Sequence, residues 1–600
     1  MKIIYKALLS TMICSVAITA NAQNKNDSTF SRQILVERDY TPSLQDASKI
    51  NTMPDIYNPV MPKQQINFLS QAPSIGLKKN LLGNADPGEI VTDIDFSKKR
   101  GYLTFGGGTN ANLDGAFGYQ LLNTENDKLD ISANHNSTNG NVDYESKDYF
   151  HTKAKAKSMD NRIGLGYQHK FSPAILSINA AYFNNSYNYY GNPYIINYGS
   201  AEDVEAIGID RDSKQNIGSF GVGAGIQSRE DGNNELSYRI NVGYNTFKNK
   251  YGPTTGVDGA KGEQINVAAD FGTDLGADKQ LGVESRFMNQ SFGKLQFATL
   301  TGAYNSLSVV EATPYIRFDG LNWNLKLGAK IGAAFDNENT FNVSPEIKSS
   351  VAFADRNVFY LNVIGGINDN TFLHILQENR YVNPLTRIGH SNTVYDALIG
   401  VKVGAVEGVE IDAFAGYKQT KKDHLYLSTS PFDENDNITS SWGNTSTPVY
   451  ADLSTGNIGA SVKTGLIPRT DLSATIRGYF YNVKYKDGSV PSFFSAAPSE
   501  KKAWGLPSFS VDVRADVKVL ENLSVSMDYI FKGGRKTYFQ GLGAVSMNNI
   551  NELNFGGSYQ ILDWISVNAH LNNVLSQKYE EFAGYTLQGF NAMGGVSLKF

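Results

Sequence analysis

Metal capture and nucleophilic catalysis both need reactive side chains held close together, and short spacing in the chain is the simplest sign of that. The seven histidines stand at His135, His151, His169, His374, His390, His424 and His570, with no HxH or HExxH pair among them. No metal site is expected from that scatter. The stretch FDENDN (432–437) gathers the oxygen ligands that calcium takes, but the glycine and closing glutamate of a full calcium loop are missing. It reads as a solvated loop. FGGGTNANLDG (105–115) and GVGAG (221–225) are rich in glycine, as phosphate cradles are, yet neither has a Lys-Ser/Thr ending or a following helix. Glycines that let a strand bend or pack closely are the expectation there. Serine is plentiful, but no Ser–His–acid set stands out. No catalytic set, no cofactor and no enzymatic activity are expected.

Charge and cysteine usage narrow the classes further. The chain carries 54 basic and 59 acidic residues without a basic cluster, so nucleic acid is not an expected partner. The single cysteine, Cys14, excludes a disulfide framework. It sits in ALLSTMICSVAITA (7–20), an apolar run that follows Lys2 and Lys6 and ends at Ala20-Asn21-Ala22. Those are the three regions of a cleaved export signal, so residues 1–22 are read as a signal peptide and the mature chain as starting at Gln23. Nothing downstream approaches the run of roughly 18–20 apolar residues that a membrane-spanning helix needs.

Two texts follow. Residues 23–100 hold Pro42, Pro54, Pro59, Pro62 and Pro73, a density that removes backbone donors and disfavours regular elements. This segment is read as an extended periplasmic tether or as one that threads into a lumen. A short helical turn is expected near Gln45–Ile50. From Gly101 the chain adopts period two. ELSYRINVGYN sets Leu236, Tyr238, Ile240, Val242 and Tyr244 against Arg239, Asn241 and Asn245. FSVDVRADVKV and LSVSMDYIF set their valines and aromatics against Asp512, Arg514, Asp516 and Asp528. ISVNAHL places Asn568 and His570 on its wet side. A strand turns successive side chains to opposite faces, so each segment has one apolar and one wet face.

A soluble sandwich alternates too, but here many segments stretch to about ten residues or more, the length a tilted strand needs to cross a bilayer. The wet faces carry charge, amide and glycine, as a hydrated lumen would. Short links such as SP (172–173), DGLN (319–322) and DW (563–564) alternate with long ones near 189–212, 371–393 and 423–447. Short periplasmic turns with long outer loops mark an outer-membrane barrel. The expectation is an all-β, antiparallel transmembrane β-barrel of about 22 strands over residues 101–600. Arg239, Asn241, Asp512, Arg514, Asp516, Asp528, Asn568 and His570 would face its lumen. The tyrosines of YFNNSYNYYGNPYIINY (182–198) would sit in an interfacial aromatic girdle. The last strand would close against the first near Gly101, with Phe590, Ala592, Val596, Leu598 and Phe600 toward outer-membrane lipid.

The closing stretch LNNVLSQKYEEFAGYTLQGFNAMGGVSLKF (571–600) resembles the end of TonB-dependent receptor barrels. Leu571, Asn572, Asn573, Val574, Leu575 and Tyr579 stand at the places of that family's penultimate-strand motif. The terminal Phe600 resembles the signal read by the barrel-assembly machinery, and the overall style resembles outer-membrane proteins of Bacteroidetes. The resemblance stops at the front. Residues 23–100 are too few and too rich in proline for the family's plug domain, although QILVERDY (33–40) has the look of its TonB box. The leading expectation is therefore an outer-membrane pore or transport protein that passes solutes through a polar lumen. The other is a non-transporting barrel that anchors partner outer-membrane or periplasmic proteins.

Overall fold

A membrane-crossing sheet has no water to satisfy its edges, so its strands must close on themselves. The computed structural model describes residues 99–600, apart from 145–152, 192–210, 230–235, 277, 295–304, 337, 355, 385–387, 407, 429–443, 486–499 and 540–542. The signal peptide, nearly all of the 23–100 segment, FDENDN and His151 lie outside the described residues.

The wall begins with β1 (Gly101–Gly108), β2 (Leu113–Asn123), β3 (Asp127–Asp143), β4 (Lys153–Lys170), β5 (Ala174–Asn188), β6 (Lys214–Ser228) and β7 (Leu236–Asn249). It continues through β8 (Lys261–Asp274), β9 (Lys279–Phe292), β10 (Leu307–Asp319), β11 (Trp323–Phe335), β12 (Thr340–Phe353) and β13 (Asn357–Asn370). A short helix, α1 (Phe372–Glu378), precedes β14 (Gly389–Val406), β15 (Val409–Ser428), β16 (Ser446–Thr464), β17 (Thr470–Lys484), β18 (Phe509–Leu520) and β19 (Leu523–Gly533). A separate hairpin, β20 (Lys536–Phe539) and β21 (Gly543–Ser546), leads to β22 (Ile550–Leu562) and β23 (Ile565–Asn572). A second hairpin, β24 (Glu580–Phe582) and β25 (Tyr585–Thr586), precedes the closing strand β26 (Asn591–Lys599).

Leaving out the two hairpins, each wall strand pairs antiparallel with the next, and β26 pairs with both β23 and β1. The result is one closed sheet of 22 strands. Its two faces differ as the alternation requires. Val242, Tyr244, Ile265, Phe287 and Ile399 are exposed on the outside. Asn245, Gln264, Arg286 and Glu311, of opposite parity, line an interior chamber. Phe171, Trp323, Phe353 and Trp564 are exposed beside the short connections, where aromatic rings suit a headgroup layer.

Closure is made at the chain's end. The Gly101 amide donates to the Phe600 carbonyl at 2.7 Å, and the Phe600 amide donates back to the Gly101 carbonyl at 2.9 Å. In register, Phe105 faces Val596 and Leu103 faces Leu598. The Phe600 ring stacks on Tyr119 with centroids 5.9 Å apart. Inside the seam, Asn568 donates to the Ser597 hydroxyl at 2.6 Å, and that hydroxyl lies 3.1 Å from Thr104 Oγ1. Gly106 and Gly107 face Gly595 and Gly594 across this seam. A Cβ on Gly595 would lie 2.7 Å from the Phe105 carbonyl oxygen and 3.0 Å from Gly106 Cα. Neither is the movable end of a side chain, so the clash must move backbone. Gly595→Val is therefore expected to destabilise the folded barrel by about 1–3 kcal/mol. Urea titration followed by heat-modifiable gel mobility reads this, and an unchanged midpoint would refute it.

Candidate functional site

The described parts of the long connections turn inward and pack together. Tyr189 and Tyr190, just after β5, meet Tyr381 after α1 and Tyr585 in β25. All four are buried, with Phe372, Ile375 and Phe582 in the same cluster. Tyr381 and Tyr585 stack with centroids 3.7 Å apart and planes 16° from parallel. Tyr190 meets them edge-on at 5.7 and 5.1 Å. Buried phenols need partners: Tyr189 Oη donates to the Val382 carbonyl at 3.3 Å, and Tyr190 Oη to the Thr586 carbonyl at 3.2 Å. Three connections far apart in sequence thus form one aromatic lid. This corrects the girdle expectation for Tyr187, Tyr189 and Tyr190. Tyr182 is exposed on the outer face, but these three are buried in the lid. The chain leaves the wall after Asn188, and for Tyr189 and Tyr190 burial of rings whose hydroxyls are bonded outweighs exposure at an interface, while the Tyr187 ring packs edge-on against Tyr189 and Tyr381.

Charged side chains pin the lid from below and from the side. Arg535, 1% exposed, donates Nη1 to the Glu580 carbonyl at 2.7 Å, Nη2 to the Glu581 carbonyl and Nε to the Gly505 carbonyl at 3.2 Å. It ties three connections together. Burial pulls its guanidinium down to about 10, so it stays charged at neutral pH. Arg380 pairs with Asp160 on the β4 wall at 3.4 Å. Glu378, at the end of α1, gathers His374 Nε2 at 3.2 Å, the Tyr426 hydroxyl at 2.9 Å and His424 Nε2. Burial would raise the Glu378 carboxyl, but the hydrogen bonds from His374 and His424 win and hold it well below the usual carboxylate range.

Beneath the lid the lumen holds two neighbouring cavities, of ≈ 900 Å³ and ≈ 450 Å³, which share Glu378, Asp396 and Lys418 in their linings. An ionic lattice braces the wall of the larger. Arg286 bonds Glu311 through Nε at 3.0 Å and Nη2 at 2.6 Å, and Asp369 through Nη1 at 2.6 Å. Glu311 also accepts the Ile367 amide at 2.7 Å, where a bulge in β13 brings Gly366 to φ +140°. A Cβ there would meet Glu311 Oε1 at 3.0 Å and Lys330 Cδ at 2.8 Å, so that position needs glycine on two counts. Lys326 bridges Glu284 and Glu346, the latter at 2.7 Å.

The residues singled out from sequence fall as follows. Asp512 lines the smaller cavity. Arg514 donates Nε to Asp516 at 2.9 Å and lies opposite Asp528. Arg239 and Asn241 share the strand face of Asn245. Asn568 belongs to the inner seam, and His570 lies opposite Gly556 on β22. Phe590, Val596 and Phe600 are exposed, while Ala592 and Leu598 are half-buried. These residues do not converge on one point. The convergent set is another: Glu378, His374 and His424, with Arg535 and the lid tyrosines. HILQE carried a faint signal, since His374 and Glu378 stand at helical i, i+4 spacing. His424 lies 46 residues away from Glu378, and nothing local links them. Asn573, singled out within the family resemblance, organises the turn after β23. It has φ +47°, donates Nδ2 to the Gln577 carbonyl at 2.9 Å and accepts the Gln577 amide at 3.0 Å. Among the described residues, no group of three or more His, Cys, Asp or Glu side chains is arranged to hold a metal ion.

Two predictions follow from the anchors. Arg535→Gln removes charge-assisted bonds to buried carbonyls and should weaken lid closure by on the order of 3 kcal/mol. Hydrogen exchange at 580–586 should then speed up by about 100-fold; unchanged exchange would remove Arg535 from the lid. A carboxyl with a depressed folded value adds stability that is present above its unfolded value and lost as pH falls through the folded one. The difference in α1 protection between the native chain and Glu378→Gln should therefore shrink as pH falls below about 4. A difference that stays constant or grows from about pH 4 to about pH 2 would contradict the assignment.

No family model matches the chain, and no curated protein matches it. Solved structures do. The ferric enterobactin receptor PfeA of Pseudomonas aeruginosa is 12% identical over 85% of this chain and 81% of that one, with a TM-score of 0.60. FpvA of P. aeruginosa, bound to a heterologous pyoverdine, is 12% identical over 84% and 72%, with a TM-score of 0.58. The siderophore receptor PirA of the same organism is 10% identical over 85% and 81%, with a TM-score of 0.54. At that identity the likeness is one of fold: this chain has the barrel architecture of the outer-membrane siderophore receptors.

Proposed function

We propose that the protein is an outer-membrane transport barrel, resembling TonB-dependent receptors in its wall, that passes solutes through a polar lumen gated at its outer mouth. The observation that carries this reading is the pair of neighbouring lumen cavities, the larger walled by an ionic lattice, beneath a lid of side chains. A barrel serving only as an anchor has no need of such space. Arg239, Asn241, Asp512, Arg514, Asp516, Asp528, Asn568 and His570 form part of the hydrated wall. Phe590, Ala592, Val596, Leu598 and Phe600 face outer-membrane lipid, and the Phe600 end is what the barrel-assembly machinery reads. The lid is the outer gate, since Arg535, Glu378 and a set of ring contacts hold it without a covalent link.

The barrel receptors it resembles in fold are named for siderophores, and PfeA also for enterobactin bound to it. No iron chelate is assigned to this chain. A second reading, a closed barrel that anchors partner outer-membrane or periplasmic proteins, draws on the tightness of the aromatic lid.

Planar-bilayer conductance separates the two. The mature chain, the chain lacking residues 23–100 and a Tyr381→Ala/Tyr585→Ala variant would be compared. Removing the stacked pair is expected to raise conductance, and a further rise on truncation would place 23–100 in the path. No conductance from any form, with folding confirmed by heat-modifiable mobility, would overturn transport in favour of the anchor.

A further inference from the structure

The smaller cavity contains buried polar atoms that nothing in the protein satisfies. Glu581, in the lid hairpin, is 2% exposed, and neither of its carboxyl oxygens has a hydrogen-bond partner. Asn457 on β16, 7% exposed, has an unpartnered Oδ1. Gly416 on β15 lies opposite and leaves room for that amide, because a Cβ there would come within 2.5 Å of Asn457 Nδ2. His424 Nδ1 is likewise without a hydrogen bond, its nearest charged neighbour being Asp423 at 3.9 Å. His424 Nε2 lies against the Glu378 carboxylate, so Nδ1 is the ring nitrogen turned to the cavity. All three residues line this one cavity, whereas the lining side chains Lys418, Arg477 and Asp396 have partners.

Leu425, Leu453, Leu506 and Met547 give the cavity an apolar part, in a lining that also carries Glu378, Asp423, Asp512 and Lys532. Tyr479 and Tyr481 stack along β17 with centroids 6.2 Å apart and planes only 10° from parallel. The Tyr481 hydroxyl is fixed on the Pro507 carbonyl at 2.8 Å. The cavity therefore offers ring and leucine surface on one side and unpartnered polar atoms on others. Water could satisfy those atoms, but it would leave the apolar lining wet, at roughly 25 cal/mol per Å². At ≈ 450 Å³ the space falls within the size range of small-molecule sites.

We propose that this cavity binds a neutral, hydroxyl- or amide-bearing organic molecule with one apolar face, which packs beside Tyr479 and Tyr481 while its polar groups bond Glu581, Asn457 and His424. Burial pushes the Glu581 carboxyl well above its ordinary range, against the pull of Arg380, Arg535 and Lys532. Those three cations already surround the carboxyl, which disfavours a further ammonium group and leaves a hydroxyl or an amide as the matching donor. The site deepens the transport reading by naming the class of solute, yet it stands or falls separately: binding is measured at equilibrium, conductance is not.

The probe is 4-nitrophenyl β-D-glucopyranoside, a neutral molecule with a flat ring and several hydroxyls. Isothermal titration calorimetry on the mature chain in detergent compares it with 4-nitroanisole, which lacks the hydroxyls, and with the cation 4-nitrobenzyltrimethylammonium. The glycoside is expected to bind at least about 10-fold more tightly than either, and Glu581→Leu and Asn457→Leu each to weaken it about 10-fold. Glu581→Gln, which keeps a donor and an acceptor, should restore most of the loss. Asn457→Leu lies in the wall rather than the lid, so it remains informative if Glu581→Leu loses heat-modifiable mobility. Equal binding of all three probes, no binding of the glycoside, or unchanged affinity in Asn457→Leu would each overturn the proposal and leave water as the occupant.

Discussion

Every other feature of this molecule depends on the hydrogen bonds that join Gly101 to Phe600. A sheet in hydrocarbon cannot leave an edge open, because each unpaired backbone group there costs several kcal/mol. The seam that closes the barrel is also its thinnest part. β1 has 8 residues and β26 has 9, against 20 in β15. Short strands carry few ladder bonds, so the backbones must approach closely, and the facing glycines at 106, 107, 594 and 595 allow it. The Asn568–Ser597–Thr104 chain then gives the inner side of the seam polar contacts of its own.

Once closed, the barrel is held by two different kinds of interaction at two depths. In the wall, charges taken out of water must be paired, and a broken pair leaves its partner stranded. Arg286, Glu311, Asp369, Lys326 and Glu346 meet that demand by bridging strands β9 to β13, which makes the wall stiff. The lid is built mostly from ring contacts, each adding about 0.5–1.5 kcal/mol beyond the area it buries. Such contacts are numerous but individually weak. Their positions are set by a few anchors, Arg535 and Glu378 foremost. A stiff wall under a lid with few fixed points is a sound construction for a mouth that opens. Buried charge serves where connections meet because one guanidinium reaches three backbone carbonyls at once, as Arg535 does.

How much of this was legible in the residues follows from the range of each interaction. Period two is local. Each strand announces its own two faces, so Val242 against Asn241, or Val513 against Asp512, can be read without knowing any neighbour. The closed antiparallel barrel, a count of about 22 strands, the short turns at one end and the closing strand at Phe600 can be read from that repeat, the spacing of the turns and the bilayer's demand for satisfied backbone; the count of 22 itself comes from the structure. The lid follows from neither. Tyr190 and Tyr585 are nearly four hundred residues apart, and Tyr190 donates to the residue beside its ring partner. The tyrosines of 182–198 looked interfacial because composition cannot tell a ring facing headgroups from one facing another ring.

Sequence alone thus determined the wall: its strand period, its apolar outside and its closure, because those are set residue by residue and by the solvent. Tertiary structure decided everything inside the mouth. Glu378 meets His424, Arg535 reaches Glu580 and Glu581, and Glu581 is turned unpartnered into a cavity. Those contacts join connections that the barrel brings together only after it has closed, and no periodicity in the chain records them.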